Sequence, residues 1–184
     1  MIQVMNKRGT VVKAYRLGLP HPVLDALMAE KRLIDLHDGT YEVFSQEAVL
    51  GGSGHGQLAR AGQWIRVDSA GFPYPNADEW VRANLRHIGG DDFEKLQKPL
   101  NAWQADMPMC PQIQFLIRQK GLELNEEDPD HYFSAVIQGT RESAARDATL
   151  IFYSISQDEE GNVTDAEFHF IEKTEFDRTY DILA

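Results

Sequence analysis

The chain has one cysteine in 184 residues, Cys110. That excludes an intramolecular disulfide and fits a reducing compartment. A chain of this length buries roughly two-thirds of its unfolded surface, so it needs no covalent or metal staple. No apolar run approaches the roughly 20 residues that span a bilayer as a helix. The opening residues, Met1 to Arg8, lack the apolar core and small-residue cleavage site of a secretory signal. A cytoplasmic location is expected. Basic residues are scarce: 18 Lys and Arg stand against 29 Asp and Glu, a formal net charge of −11. Binding to nucleic acid or to an anionic membrane draws on Lys and Arg, so neither is expected as a partner. The acidity keeps the protein soluble and leaves a basic protein partner open.

Signatures of chemistry are also missing. The loop Gly51-Gly52-Ser53-Gly54-His55-Gly56 has the amides to cradle an anion. No Gly-Lys-Ser/Thr follows it, and it does not lead into a helix, so the phosphate and dinucleotide fingerprints are both absent. Ser53 lies in Gly-Ser-Gly-His, outside the nucleophile-elbow pattern. There is no His-Glu-x-x-His, and the six histidines are scattered singly. Asp128, Asp130 and His131 are close enough for a metal, but equally suit a helix start at Pro129, whose dipole favours acids. Ser156 to Glu167 puts Gly161 at the central glycine of a calcium loop, with Asp158, Glu160, Asn162 and Glu167 as oxygen donors. Ser156 stands where an aspartate is usual, however, and a hairpin turn through Glu160-Gly161-Asn162 accounts for the same residues. Cys110 before Pro111 is either a helix-start thiol or a small buried hydrophobe. No catalytic residue, metal site or cofactor is assigned.

What is present is a mixture of two periodicities. Val11 to Leu17 reads as a strand. Pro20 and Pro22 open a helix whose apolar face takes Val23, Leu24, Leu27, Met28 and Ile34. Thr40 to Val49 and Leu58 to Asp68 read as the strands of a hairpin joined by the glycine loop, with Trp64, Ile65 and Val67 apolar. Asn76 and Glu79 have capping-box spacing, predicting a helix to Gly89 or Gly90 with Trp80, Val81, Leu85 and Ile88 facing a core. Asp91 to Gln97 reads as a short helix. Pro111 to Lys120 reads as another, stopped by Gly121, with Ile113, Leu116 and Ile117 buried. His131 to Gln138 suits helix or strand, and Thr140 to Arg146 a short helix. Thr149 to Ser156 and Ala166 to Lys173 form a hairpin with an acidic turn, Phe168 and Phe170 alternating against Glu167, His169 and Glu172. The fold class expected is α+β, antiparallel β-hairpins packed with several short helices, in a single domain over residues 1–184.

Tyr41-Glu42-Val43-Phe44-Ser45, then Ala61-Gly62-Gln63-Trp64-Ile65, then Gly71-Phe72-Pro73-Tyr74-Pro75 and a helix bearing Trp80 follow in order. In this order the segment 41–87 resembles the PGDYG-type domain of bacterial and phage proteins. Ala61 stands where that motif has proline, Gln63 where it has an acid, and Trp64 at its aromatic position. The resemblance covers about a quarter of the chain and implies a fold module of bacterial or phage setting, with no established activity. A piece of this size is marginal alone, so a core shared with the C-terminal hairpin is expected. The segment serves either as scaffold or as pocket lining. In a pocket, Trp64, Tyr74 and Trp80 would stack on a planar ligand, and Gln46, Asp68 and Ser69 would supply hydrogen bonds. The expected function is a non-enzymatic binding or interaction module for a small planar or nucleotide-like ligand or a protein partner. The alternative is a small hydrolase or transferase with a site assembled from distant residues.

Overall fold

The computed structural model describes residues 1–183. In chain order the first elements are β1 (Ile2–Asn6), β2 (Val11–Arg16), α1 (Pro22–Ala29), β3 (Leu33–Asp35), β4 (Thr40–Val43), α2 (Gln46–Leu50) and β5 (Gln57–Arg60). Then come β6 (Trp64–Val67), β7 (Pro73–Asn76), α3 (Asp78–Asn84), β8 (Leu85–Gly89), β9 (Asp92–Lys95) and β10 (Leu100–Gln104). The rest are α4 (Pro111–Gln119), β11 (Glu123–Leu124), β12 (Phe133–Ile137), β13 (Thr140–Ala144), β14 (Thr149–Gln157), β15 (Val163–Ile171), α5 (Lys173–Thr179) and β16 (Tyr180–Ile182). Antiparallel sheets and short helices make this the α+β fold expected. Contacts group the chain into two compact units. One is Met1–Lys7 with the chain from Lys98 onward; the other is Arg8–Gln97. The acidity is uneven: the first holds eight basic and seventeen acidic residues, the second ten and twelve.

In the first unit a five-stranded sheet runs β15-β14-β10-β1-β16, beside a three-stranded sheet β11-β12-β13. Alternation along β10 and β14 separates two cores. Trp103, Leu150, Phe152 and Phe170 meet Ile113 and Leu116 of α4 and Phe133 of β12. On the opposite side Val4, Ala102, Ile151 and Ile171 are covered by Phe176 and Tyr180. Each fully buried side chain of this size contributes about 1.5–3 kcal/mol. The hairpin expected at the C-terminal end is β14–β15, with Phe170 buried and Phe168 packed beside it.

The second unit is built on a sheet β7-β6-β2-β9-β8, with a smaller sheet β3-β4-β5. Tyr15, Leu17, Leu24, Leu27, Leu33, Val43, Ala59 and Ile65 form one core. Ala14, Val81, Leu85 and Phe93 form the other. Residues 41–87 share their buried neighbours with β2 and α1 of this unit, whereas the core of the C-terminal hairpin draws on α4, β10 and β12. Within this unit, residues 41–87 thus take their core partners from the chain just before residue 41.

Several expected elements take another form, each for a local reason. Thr40 to Val49 is a strand only to Val43, because Ser45 caps α2 by accepting from the Ala48 amide at 3.1 Å. Leu58 to Asp68 is two strands: Gly62 turns at φ 90°, and β6 leaves β4–β5 to pair with β2 and β7. Ile34 lies on β3 and Ile117 on the outer side of α4, and both are exposed. Ala77, not Asn76, is the N-cap of α3, and the Asn76 side chain instead accepts from Arg66 Nε at 2.6 Å. Helix α3 stops at Asn84, since Leu85 to Gly89 pairs with β9 through the Gly89-Gly90 turn, φ 139° and 52°. Asp91 to Gln97 therefore holds strand β9, Asp92–Lys95, in place of a helix. His131 to Gln138 resolves as strand after a one-turn 3-10 segment, Pro129–His131. Thr140 to Arg146 begins with strand β13, Thr140–Ala144, in place of a helix, because Gln138 and Gly139, φ 49° and 82°, make the two-residue turn of a right-twisted hairpin.

Gly56 marks the tightest backbone approach in the glycine loop. A Cβ there would overlap the carbonyl of Val43 on β4. Backbone cannot swing aside as a side-chain end can, so Gly56→Ala is expected to destabilise by about 1–3 kcal/mol or more. Gly54→Ala, with open space around it but φ 75°, is expected to cost about 1 kcal/mol. Urea midpoints of the two variants measure the difference, and equal midpoints would contradict it.

Candidate functional site

All six expected ligand residues lie in the Arg8–Gln97 unit, but they divide among three surroundings. Strand register pairs Trp64 with Asn76 and Arg66 with Tyr74, which puts these four on one side of the sheet. Trp64 and Trp80 both pack against the core of Val81 and Phe93. Trp64 meets Phe93 edge-on at 5.4 Å, and its Nε1–H donates to Asp78 at 2.9 Å. That hydrogen bond, then Arg82 and Arg16, lowers the Asp78 carboxyl below its ordinary value. Guanidiniums already lie against both indoles: Arg16 is 5.1 Å from the Trp64 ring and Arg66 is 4.7 Å from Trp80. The indoles are thus engaged as cation–π partners.

Tyr74 faces acids instead. Its hydroxyl donates to Glu47 Oε2 at 2.8 Å, with Asp68 Oδ2 at 3.3 Å. Glu47 is 3% exposed, and a buried carboxylate needs such a donor. Burial first, then the charges of Glu47 and Asp68, pushes the Tyr74 phenol well above its ordinary value of 10.0. Gln46 opens α2 half-buried.

Asp68 and Ser69 belong to a third place, the β6–β7 turn. Asp68 Oδ1 accepts from the amides of Ala70 and Phe72 at 2.9 and 2.8 Å, and Gly71 turns at φ 82°. This is how aspartate organises a turn. Across from it, α1 ends with Lys31 at φ 58°, while the Lys31 and Arg32 amides donate to Met28 and Leu27. That Schellman closure sends Arg32 toward the turn. Arg32 Nη1 donates to Gly71 O at 2.6 Å, and its guanidinium lies 4.3 Å from the Phe72 ring. Between α1 and the turn is an open cleft of about 620 Å³, lined by Val23, Ala26, Leu27, Val67, Ser69 and Arg32 among others. Sequence reasoning named Ser69 at its rim but missed Arg32. The signal was the Asp68 to Gly71 turn pattern facing an arginine just beyond a helix end.

Other polar side chains of the chain are engaged within the fold. His21 Nδ1 accepts from the Val23 amide at 3.1 Å, so its Nε2–H points to Asp91 Oδ2 at 3.0 Å and neither nitrogen is left as a base. Cys110 is half-buried at the N-cap of α4 and packs against the first unit's core. In the glycine loop Gly56 N–H donates to the Glu42 carboxylate, an unfavourable neighbour for phosphate. Asp158 accepts from the Glu160 and Asn162 amides at 3.0 and 2.8 Å, which makes Ser156 to Glu167 a hairpin with a closed turn. His131 bonds Asp128 at 3.1 Å. No group of three or more potential metal ligands occurs among the described residues.

Tyr74 gives an alkaline prediction. Its folded pKa is raised above the unfolded value near 10, so the native state holds a proton that the unfolded state releases. That stability is full below about pH 10 and falls as pH rises beyond it. Tyr74→Phe removes this dependence and one donor to buried Glu47, so it is expected to cost about 1–3 kcal/mol at pH 8. The gap to the parent protein should narrow toward pH 11. Urea midpoints at both pH values check this; a gap that widens would refute it.

Comparison of the chain with protein-family models, with curated proteins and with solved structures finds no match.

Proposed function

We propose that this protein is a non-enzymatic binding module that takes a small ligand in the cleft between α1 and the 68–72 turn. The observation that carries this reading is the cleft. Its volume of about 620 Å³ falls within the roughly 300–1,000 Å³ of small-molecule sites. Its walls are mainly apolar, with Arg32 held at the rim by the turn it braces. A planar or nucleotide-like ligand stacking on Trp64 or Trp80 would have to displace Arg16 or Arg66, which favours the cleft over the indoles. The PGDYG-type likeness of residues 41–87, with its bacterial or phage setting, is kept in this reading because the segment supplies β6 and the turn that form one wall. A cytoplasmic setting is proposed with it, on the single cysteine.

A thermal-shift panel of apolar acids, alcohols, amines and nucleotides tests the proposal. A cleft ligand at a hundred times its Kd adds about 2.7 kcal/mol, a rise of several degrees. Ala26 is exposed on the cleft wall, so Ala26→Trp is expected to leave the unliganded Tm nearly unchanged and abolish the shift. A nucleotide shift that survives Ala26→Trp but is lost in Trp80→Ala would move the site to the indoles. No shift with any compound would remove the small-molecule reading in favour of a protein partner.

A further inference from the structure

The groups that line this cleft also define a class of ligand, on the reading that the cleft is the binding site. Arg32 is fixed on three sides. Nη1 donates to Gly71 O at 2.6 Å and, more weakly, to Ala70 O at 3.4 Å. Nε lies 3.6 Å from Glu30 Oε2, and the guanidinium rests 4.3 Å from Phe72. Nη2 has no partner among the described residues, and the side chain is 32% exposed at the cleft. A guanidinium already immobilised loses little further freedom when it binds an anion, which is the main cost of using a long side chain.

The charge at that rim is close to balanced. Glu30 lines the same end and pairs with Arg32. A dianion such as a phosphate monoester meets a carboxylate there as well as the guanidinium, and the repulsion opposes it. One carboxylate is what the remaining Nη2 edge accommodates, through charge-assisted hydrogen bonds. Beyond the rim the walls are Val23, Ala26, Leu27 and Val67, which offer no polar side chain to a ligand body. They extend along α1, whose eight residues span about 12 Å. We infer that the cleft takes an amphiphilic monocarboxylate, its head on Arg32 Nη2 and its apolar body along α1. The same chemistry is offered by a medium-chain fatty acid and by an arylalkanoic acid.

The test is a titration of the full chain with sodium octanoate, sodium 3-phenylpropanoate, 1-octanol and octyl phosphate, followed by amide chemical shifts. Octanoate or phenylpropanoate is expected to move the amides of Val23, Ala26 and Gly71. The tighter of the two tells an acyl from an aryl source. 1-Octanol, which forms no charge-assisted pair, and octyl phosphate, whose second charge Glu30 repels, are each expected to bind at least about tenfold more weakly. Arg32→Lys keeps the charge but not the fork, and is expected to weaken the carboxylate by about tenfold while leaving 1-octanol unchanged. Because Arg32 also braces the turn, Ala26→Trp gives an independent check that leaves Arg32 in place; it should abolish binding of the acids. If 1-octanol binds as tightly as octanoate and Ala26→Trp blocks both, the carboxylate assignment is overturned while the cleft stands as the site. If octanoate and phenylpropanoate bind with no shift at the cleft, or bind Ala26→Trp undiminished, the inference fails. If none of the four compounds binds, the inference fails, while a thermal shift with an amine or a nucleotide that Ala26→Trp abolishes still upholds the cleft as the site.

Discussion

Strand β2 carries the geometry of the Arg8–Gln97 unit because both of its edges are hydrogen-bonded. Its second half pairs with β6 through Ala14, Tyr15 and Arg16, and its first half pairs with β9 through Val11, Val12 and Lys13. A strand paired on both edges must dedicate alternate side chains to the two faces. Tyr15 and Leu17 therefore join α1 and the small sheet, whereas Ala14 joins α3 and Phe93. A one-residue slip would exchange these sets, burying Lys13 and exposing Tyr15. The cleft depends on this register indirectly. Ile65 of β6 is fully buried opposite Tyr15, and that fixes where Val67 and the following turn emerge beside α1.

Arginine stacking is a second shared device of this unit. Arg16, Arg32 and Arg66 each lie against an aromatic ring, at 5.1, 4.3 and 4.7 Å. Planar, weakly hydrated guanidiniums suit partly exposed rings better than ammonium groups do. Each also reaches a polar partner: Asp78 for Arg16, the Gly71 carbonyl for Arg32, and Asn76 for Arg66. At Trp64 and Trp80 this covers the aromatic surface. At Phe72 it leaves one edge of the guanidinium turned to an open cleft. The different outcomes come from what adjoins the ring: a packed α3 in one case, and the gap beside α1 in the other.

The uneven charge gives the two units different exteriors. Met1–Lys7 and the chain from Lys98 onward carry most of the acid excess, much of it in the 123–130 stretch and the β14–β15 turn. Here carboxylates organise local structure. Asp158 closes the hairpin turn, and Glu126 accepts from Tyr132 and pairs with Arg146. The long edge strand β15 carries Asp165 and Glu167, charges of the kind that discourage edge-to-edge pairing.

Features set by interactions within a few residues can be read from the amino-acid order alone. Helix α1 behind Pro22, helix α4 from Pro111 to the Gly121 stop, strand β2 and the β14–β15 hairpin are all legible in it. So is the α+β class, which follows from short alternating runs mixed with short helical ones. Some ambiguity is local too: Gly89-Gly90 and Gln138-Gly139 are hairpin turns whose flanking residues also fit a helical spacing. Long-range packing sets which strand each segment joins, and so whether Leu85 faces a helix groove or a β9 partner. The same packing brings Tyr74 to Glu47 and Arg32 to Gly71, 27 and 39 residues apart. Turn and cap chemistry is written in neighbouring side chains and their backbone. A cleft is written in the fit of distant surfaces, and that depends on packing the whole unit at once.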